Sequence, residues 1–325
     1  MHIYRDHDAD LTLVQQRQVA IIGYGNQAAA HAANLRDSGV SVLIGLREDS
    51  SSWQQARAQG FTVQAISEAV RRSTLVMLLI PDEAMPEVYQ QHIAPYLHQH
   101  SLLGFAHGFA IHFKTITPPA HLPVLMVAPK GPGYQVRESF LQGRGLPGLV
   151  AYTETSPGST LALALAYAKA IGCTRQGVLL TSFREETETD LFGEQAVLCG
   201  GIPSLVKAAF ATLLEAGYSE EMAYIECLYE IKLIVALLEK GGLTFMRRAI
   251  SNTAEFGGYK AGELLIDERV REKMRLLLQA IQNGSFAEAW MAEYHQGLRD
   301  LHQQRTFEAG LRVEQVGTRL REILL

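Results

Sequence analysis

Residues 18–39 read "QVAIIGYGNQAAAHAANLRDSG". The first five are largely apolar and β-branched. Glycines follow, and from Asn26 small apolar residues recur at helical spacing until Gly39. The pattern predicts a strand, a tight turn and a helix. In Gly23-x-Gly25-x-x-Ala28, Gly23 permits the turn. Gly25 lets backbone approach a pyrophosphate, and Ala28 fits where helix meets strand. The phosphates of a dinucleotide would then sit at the helix N-terminus. A glycine turn with no ligand is the plainer alternative.

Working outward, strand-like and helix-like segments alternate. "VSVLIGLR" (40–47) is a second strand and "SSSWQQARAQG" (50–60) a second helix. "TLVMLLIP" (74–81), "SLLGFAH" (101–107), "PVLMVAP" (123–129), "GLVAYTE" (148–154) and "GVLLTSF" (177–183) add buried strands. This rhythm implies a parallel sheet with helices on both faces. Beyond about Ser182 the strand signal stops. "IPSLVKAAFATLLEAG" (202–217), "SEEMAYIECLYEIKLIVALLEKGG" (219–242) and "DERVREKMRLLLQAIQNG" (267–284) read as long helices, each ending at glycine. The expected organisation is a Rossmann-type α/β domain over 1–182 and an all-α domain over 183–325.

The 325 residues are 47% apolar and 19% charged, enough to bury a large core. The net charge, 29 − 34 = −5, argues against a nucleic-acid binder and gives no hint of an anionic membrane partner. Three widely spaced cysteines, Cys173, Cys199 and Cys227, suit a reduced, cytoplasmic protein. The polar start is not expected to be a signal peptide, and the apolar runs fall short of a membrane span.

Arg47 follows Gly25 by 22 residues, near the position that meets an adenosine ribose. An acid there suits a free 2′-hydroxyl, and arginine with hydroxyls suits a 2′-phosphate. "LREDSSSW" (46–53) offers Arg47, Ser50 and Ser52 but also Glu48 and Asp49. The reading favours NADP, with the acids turned to solvent; a polar surface turn is the alternative. His107 and Lys130 each follow a strand, where α/β sheets present catalytic groups. Taken singly, either suits a packed histidine or a surface lysine.

"EETETDLFGE" (185–194) places five carboxylates in ten positions and runs into apolar sequence. Glu185, Glu186 and Glu188 fit a solvated helix face. Asp190 and Glu194, spaced i, i+4, would share one face, as would Glu226 and Glu230 in "YIECLYEIK" (224–232). Like charges beside apolar residues need compensation. Lys232 is one source, and a hard divalent cation such as Mg²⁺ is another.

These residues lie in longer stretches: "AHGFAIHF" (106–113), "APKGPG" (128–133), "EETETDLFGEQAVLCGG" (185–201), "EAGYSEEMAYIECLYEIKLI" (215–234) and "ISNTAEFG" (250–257). Through them the chain resembles the short, class I ketol-acid reductoisomerases, from "DADL" (8–11) to "VGTRLR" (316–321). The resemblance implies two Mg²⁺ ions, with Asp190 bridging both, Glu194 on one, and Glu226 and Glu230 on the second ion's side. His107 and Lys130 match polar active-site residues, so the implied catalytic set is His107, Lys130, Asp190, Glu194 and Glu230. Ser251 resembles a serine that contacts the substrate carboxylate. Gly23, Tyr24, Gly25, Asn26, Gln27, Arg47, Ser50, Ser52, Asp82 and Gly133 are the implied NADP(H) contacts. The helical domain would be knotted. The protein would be a homodimer, or an assembly of dimers, with each site shared between two chains. The implied reaction is alkyl migration in a 2-aceto-2-hydroxy acid followed by reduction with NADPH, in valine and isoleucine synthesis.

Three departures stand out. The family has Ser-Gln-Gly-His where Asn26-Gln27-Ala28-Ala29 stand, often a basic residue and glycine at Glu48 and Asp49, and Gly-Pro-Arg at Gly262-Glu263-Leu264. Two other readings compete. A metal-free 3-hydroxyacid-type dehydrogenase also joins these two kinds of domain, but has no need of four embedded carboxylates. A non-catalytic paralogue has no need to keep His107, Lys130, the four acids and Ser251 together.

Overall fold

The computed structural model describes residues 2–153 and 157–324. The chain divides into two units, Met1–Thr189 and Asp190–Leu325.

The first unit is built on nine strands: β1 (Ile3–Tyr4), β2 (Gln18–Ile22), β3 (Ser41–Leu46), β4 (Thr62–Ala65), β5 (Leu75–Leu78), β6 (Leu102–Phe105), β7 (Val124–Pro129), β8 (Gly148–Tyr152) and β9 (Val178–Leu180). Their order is β1-β9-β8-β7-β6-β5-β2-β3-β4. Alternation along each inner strand explains the layering. Val19 and Ile21 of β2, with Leu75 and Met77 of β5, enter one core beside Ala28, Ala32 and Leu35 of the Asn26–Asp37 helix. Ala20, Ile22, Val76 and Leu78 enter a second core with Ile66, Ala69 and Val70 of the Ile66–Arg71 helix. A strand buried on both faces must be apolar at every position, and β2 is so from Val19 to Ile22. Each fully buried Val, Leu, Ile or Met among them contributes about 1.5–3 kcal/mol.

From β4 through β3, β2, β5 and β6 to β7 all pairing is parallel. The sheet as a whole is mixed. β8 runs antiparallel to β7, and β1 antiparallel to β9. Between β7 and β8 the chain forms the Gly133–Leu141 helix, which packs on the Asn26–Asp37 helix. Glu154, at the end of the strand expected over 148–154, lies outside the described residues.

Strand order reverses between β2 and its two parallel neighbours, β3 and β5. The crevice beyond their carboxyl ends is where such sheets take ligands. Gly23, φ +101°, turns the chain there, and a Cβ on it would lie 2.6 Å from the Leu79 carbonyl oxygen.

Among the described residues the second unit contains helices and no strand. Two of the expected helix ends are present, where Gly217 (φ +86°) and Gly284 (φ +83°) adopt the left-handed backbone that stops a helix; at the third, Gly242 (φ +74°), the chain kinks inside the Ile231–Ala249 helix. A small core joins Phe210 of the Gly201–Glu215 helix, Ala223 and Tyr224 of the Glu220–Tyr224 helix, and Val313 and Val316 of the Arg312–Leu324 helix. Two segments widen into π-helix, Glu194–Leu198 and Ile225–Tyr229. Large apolar side chains remain exposed, among them Leu243, Phe256 and Leu264.

Candidate active site

The Asn26–Asp37 helix opens at Gly25, whose missing Cβ would meet nothing within 4 Å. That open approach in front of free backbone N–H groups is the space a diphosphate needs. Behind it the packing is tight. A Cβ on Gly133 would lie 2.2 Å from the Asn26 carbonyl oxygen, and Gln27 Nε2 donates to the Gly131 carbonyl at 2.8 Å. Gly133 therefore seats one helix start against another. The Tyr24 ring is buried edge-on to Phe61, and burial raises its phenol pKa above the ordinary value. Asn26 is exposed, and Asp82 opens a short turn just past β5.

After β3, Arg47 Nε lies 3.8 Å from Asp49 Oδ1, with both side chains mostly in solvent. The Ser50 hydroxyl accepts the Ser52 N–H at 3.3 Å. The loop thus holds one cation facing one of its two acids.

His107 follows β6, Lys130 follows β7, and both reach the Phe183–Gly193 helix. They meet at Glu186. His107 Nδ1 lies 3.0 Å from Glu186 Oε2, and Lys130 Nζ donates to Oε1 at 3.1 Å. The Gly108 N–H donates to Oε2 at 2.8 Å. Gly108 has to be glycine, because a Cβ would strike Thr187 Oγ1 at 2.4 Å and the Phe183 carbonyl at 2.6 Å. Glu186 is 1% exposed. Burial pushes its carboxyl upward, but the hydrogen bond and charge of His107, then Lys130 and the Gly108 amide, outweigh this and hold it below the usual range.

The expectation of a solvated face over Glu185, Glu186 and Glu188 is corrected for two of the three. Glu188 is also buried, with Arg184 Nε at 3.3 Å and His112 Nε2 at 3.4 Å. Only Glu185 is exposed, beside the start of the helix where the Ser182 hydroxyl accepts its N–H. Sequence reading missed Glu186, although its spacing to Asp190 and Glu194, i, i+4, i+8, was the available signal.

The division between the two units falls within this same helix, immediately before Asp190. Ligand atoms of His107, Glu186 and Asp190 lie within 4.8 Å of one another, a group able to hold one metal ion. The other expected ligands sit differently. Glu194 is exposed at the first position of a π segment, and Glu226 and Glu230 are exposed within and just after another. The wide turns are seen directly: Cys199 N–H bonds to the Glu194 carbonyl at 2.7 Å, and Glu230 N–H to that of Ile225 at 3.2 Å. Such bulges are frequent at functional sites. Lys232, the nearby cation, lies over the Tyr229 ring at 3.7 Å. Ser251 caps the Asn252–Leu265 helix, accepting the Ala254 N–H at 3.1 Å, and keeps a hydroxyl proton to donate.

Residues 13–177 match the family "acetohydroxy acid isomeroreductase, NADPH-binding domain", and residues 183–324 match "ketol-acid reductoisomerase, C-terminal domain". A structure of an NADH-preferring ketol-acid reductoisomerase from an uncultured archean superposes with a TM-score of 0.96. It is 42% identical and covers 100% of this chain and 99% of its own. The fold extends to more distant proteins. A semialdehyde dehydrogenase NAD-binding protein from Cupriavidus necator gives a TM-score of 0.57 at 17% identity, over 80% of this chain and 99% of that one. A 1-pyrroline-5-carboxylate reductase from Streptococcus pyogenes gives 0.53 at 15%, over 82% and 98%.

Proposed function

The chain belongs to the ketol-acid reductoisomerase family, and from that premise we propose how its own residues carry the reaction. It converts 2-acetolactate or 2-aceto-2-hydroxybutyrate to a 2,3-dihydroxy acid with NADPH, in branched-chain amino acid synthesis. The substrate hydroxyl loses its proton as the alkyl group moves to the neighbouring ketone carbon, whose oxygen gains a proton. NADPH, when bound, would supply the hydride that reduces the new ketone, and a second proton would complete the alcohol.

The observation that carries this reading is the Glu186 carboxylate, which draws His107 and Lys130 onto the helix that bears Asp190. A buried carboxylate kept ionised between two proton carriers suits proton transfer at the substrate oxygens. Glu186 orients both groups, and Lys130 and His107 hold the protons. Asp190, Glu194, Glu226 and Glu230 would hold two Mg²⁺ ions. All four offer oxygen donors, as a hard cation requires, and Glu226 and Glu230 are exposed. When bound, the metal supplies positive charge where the alkoxide develops.

On the cofactor side, Arg47, Ser50 and Ser52 receive the 2′-phosphate. Asp49 beside Arg47 weakens that preference, which leaves NADH usable. We read the exposed apolar side chains of the second unit as a homodimer surface, with Glu226, Glu230 and Ser251 completing the partner's site. The helical segment Phe183–Glu215 is long and apolar enough to cross a membrane by length and composition. The five carboxylates at its start and Lys207 within it favour a covering of protein over lipid.

Asp190→Asn tests the assignment. A neutral amide would not offset the charge of a divalent cation as the carboxylate does, so turnover of 2-acetolactate should fall below detection while NADPH binding, followed by fluorescence, is retained. Normal turnover by the purified variant would overturn it.

A further inference from the structure

The Glu220–Tyr224 helix is the first stretch of a helical run that continues through Glu230 into the Ile231–Ala249 helix. It leads directly into the π segment that carries Glu226. Two helices hold its start: Gly201–Glu215, through Phe210, and the C-terminal helix, Arg312–Leu324. Val313 and Val316 pack in one core with Ala223 and Tyr224. Gly317 lets the Tyr224 ring lie so close that a Cβ would come within 2.7 Å of its Cε2. Arg321 NH1 reaches the Tyr224 hydroxyl at 3.4 Å. At the start of the short helix, Glu220 accepts from both Arg312 and Arg319, and Arg319 also reaches Glu221 at 3.3 Å. Leu228, inside the π segment, packs against the same core from which Glu226 and Glu230 turn away.

A π turn persists only where its surroundings over-determine it, because an ordinary α turn would otherwise replace it. Removing that extra residue of winding would rotate Glu226 relative to Glu230 by roughly 100°, the angle one helical residue spans. We infer that the C-terminal helix, through Gly317 and Arg319, is a brace that sets the register of the Glu226–Glu230 segment and so tunes divalent-cation affinity. This rests on the reading of Glu226 and Glu230 as metal ligands. Gly317 and Arg319 are positioning residues; neither touches substrate or cofactor. Single exposed ion pairs contribute little to stability. The expected consequence therefore lies in metal binding rather than in folding.

The test uses the full-length protein without substrate and Mn²⁺ as the probe, with free Mn²⁺ measured by electron paramagnetic resonance. The chains compared are wild type, Glu226→Gln, Gly317→Ala, Arg319→Gln, Arg319→Lys and, as a matched surface control, Arg271→Gln, whose ion pair with Glu268 lies in another helix. Gly317→Ala and Arg319→Gln should weaken Mn²⁺ binding on the order of tenfold, the lower range for groups standing behind metal ligands. Arg319→Lys should recover part of the loss, and Arg271→Gln should match wild type. NADPH affinity should not change in any of them. Wild-type Mn²⁺ affinity in both Gly317→Ala and Arg319→Gln, with Glu226→Gln weakened, would overturn the brace alone. Wild-type affinity in Glu226→Gln would overturn the ligand reading and the brace with it. Should Gly317→Ala fail to fold, Arg319→Gln carries the test, with its melting temperature confirming an intact fold.

Discussion

Lys130 Nζ donates to Glu186 Oε1 at 3.1 Å, linking the end of a sheet strand to a helix 56 residues further along the chain. Because His107 meets the same carboxylate, removing its charge unsettles two proton carriers at once. Glu186→Gln should lower kcat by about 10²-fold or more, the usual scale for general acid–base groups. NADPH affinity should stay within about twofold, since its contacts lie elsewhere. Steady-state kinetics and a cofactor titration check this, and unaltered kcat would remove Glu186 from proton transfer.

That pairing was beyond sequence reading for a physical reason. The i, i+4, i+8 spacing of Glu186 to Asp190 and Glu194 is visible in the chain, but its contact with His107, 79 residues away, is not. By contrast, the turn at Gly23 and Gly25 was legible because strand, glycine and helix are local patterns. Two helix ends were legible too, since Gly217 and Gly284 announce left-handed backbone, whereas Gly242 marks a kink rather than an end. The antiparallel direction of β8 was not, because strand direction depends on how the intervening chain packs. The π turns at Glu194 and Glu226 were also hidden: apolar spacing continues through them, and only the backbone bonds show the extra residue.

The cofactor loop gives a prediction of its own. Asp49 lies 3.8 Å from Arg47. Asp49→Ser should free the guanidinium for a 2′-phosphate and raise the NADPH-to-NADH ratio of kcat/KM about tenfold, equivalent to ~1.4 kcal/mol. Ser50→Asp with Ser52→Asp should move the ratio the other way by like-charge repulsion. An unchanged ratio in both would take this loop out of cofactor choice.

Stability should depend on pH through His31. Its Nδ1 lies 3.0 Å from the buried Tyr167 hydroxyl, and burial lowers its pKa from 6.5 to about 4. The folded state therefore holds His31 neutral while the unfolded state takes up a proton below pH 6.5. The stabilisation is complete above pH 6.5 and is lost as pH falls through the window from 6.5 to about 4. Its share is about 3 kcal/mol at ~1.4 kcal/mol per pH unit. Urea unfolding across this window should show that slope, and His31→Leu should flatten it whatever its baseline stability. An equally steep slope in the variant would assign the effect to other groups.

A shared site predicts complementation. In a mixed dimer of Asp190→Asn and Glu226→Gln chains, both lesions fall in one site and the other is whole. Such dimers should recover up to about half the wild-type activity, by two-fold symmetry. Mixed dimers confirmed by mass yet inactive would place each site within one chain.

The most direct measurement is oxidation of NADPH by the purified wild-type protein with 2-acetolactate, with and without Mg²⁺. The account predicts turnover with Mg²⁺, its loss on chelation, its return on adding Mg²⁺ back, and a 2,3-dihydroxy acid as product. Oxidation at the same rate in chelator, or none with Mg²⁺ while NADPH is bound, would contradict it.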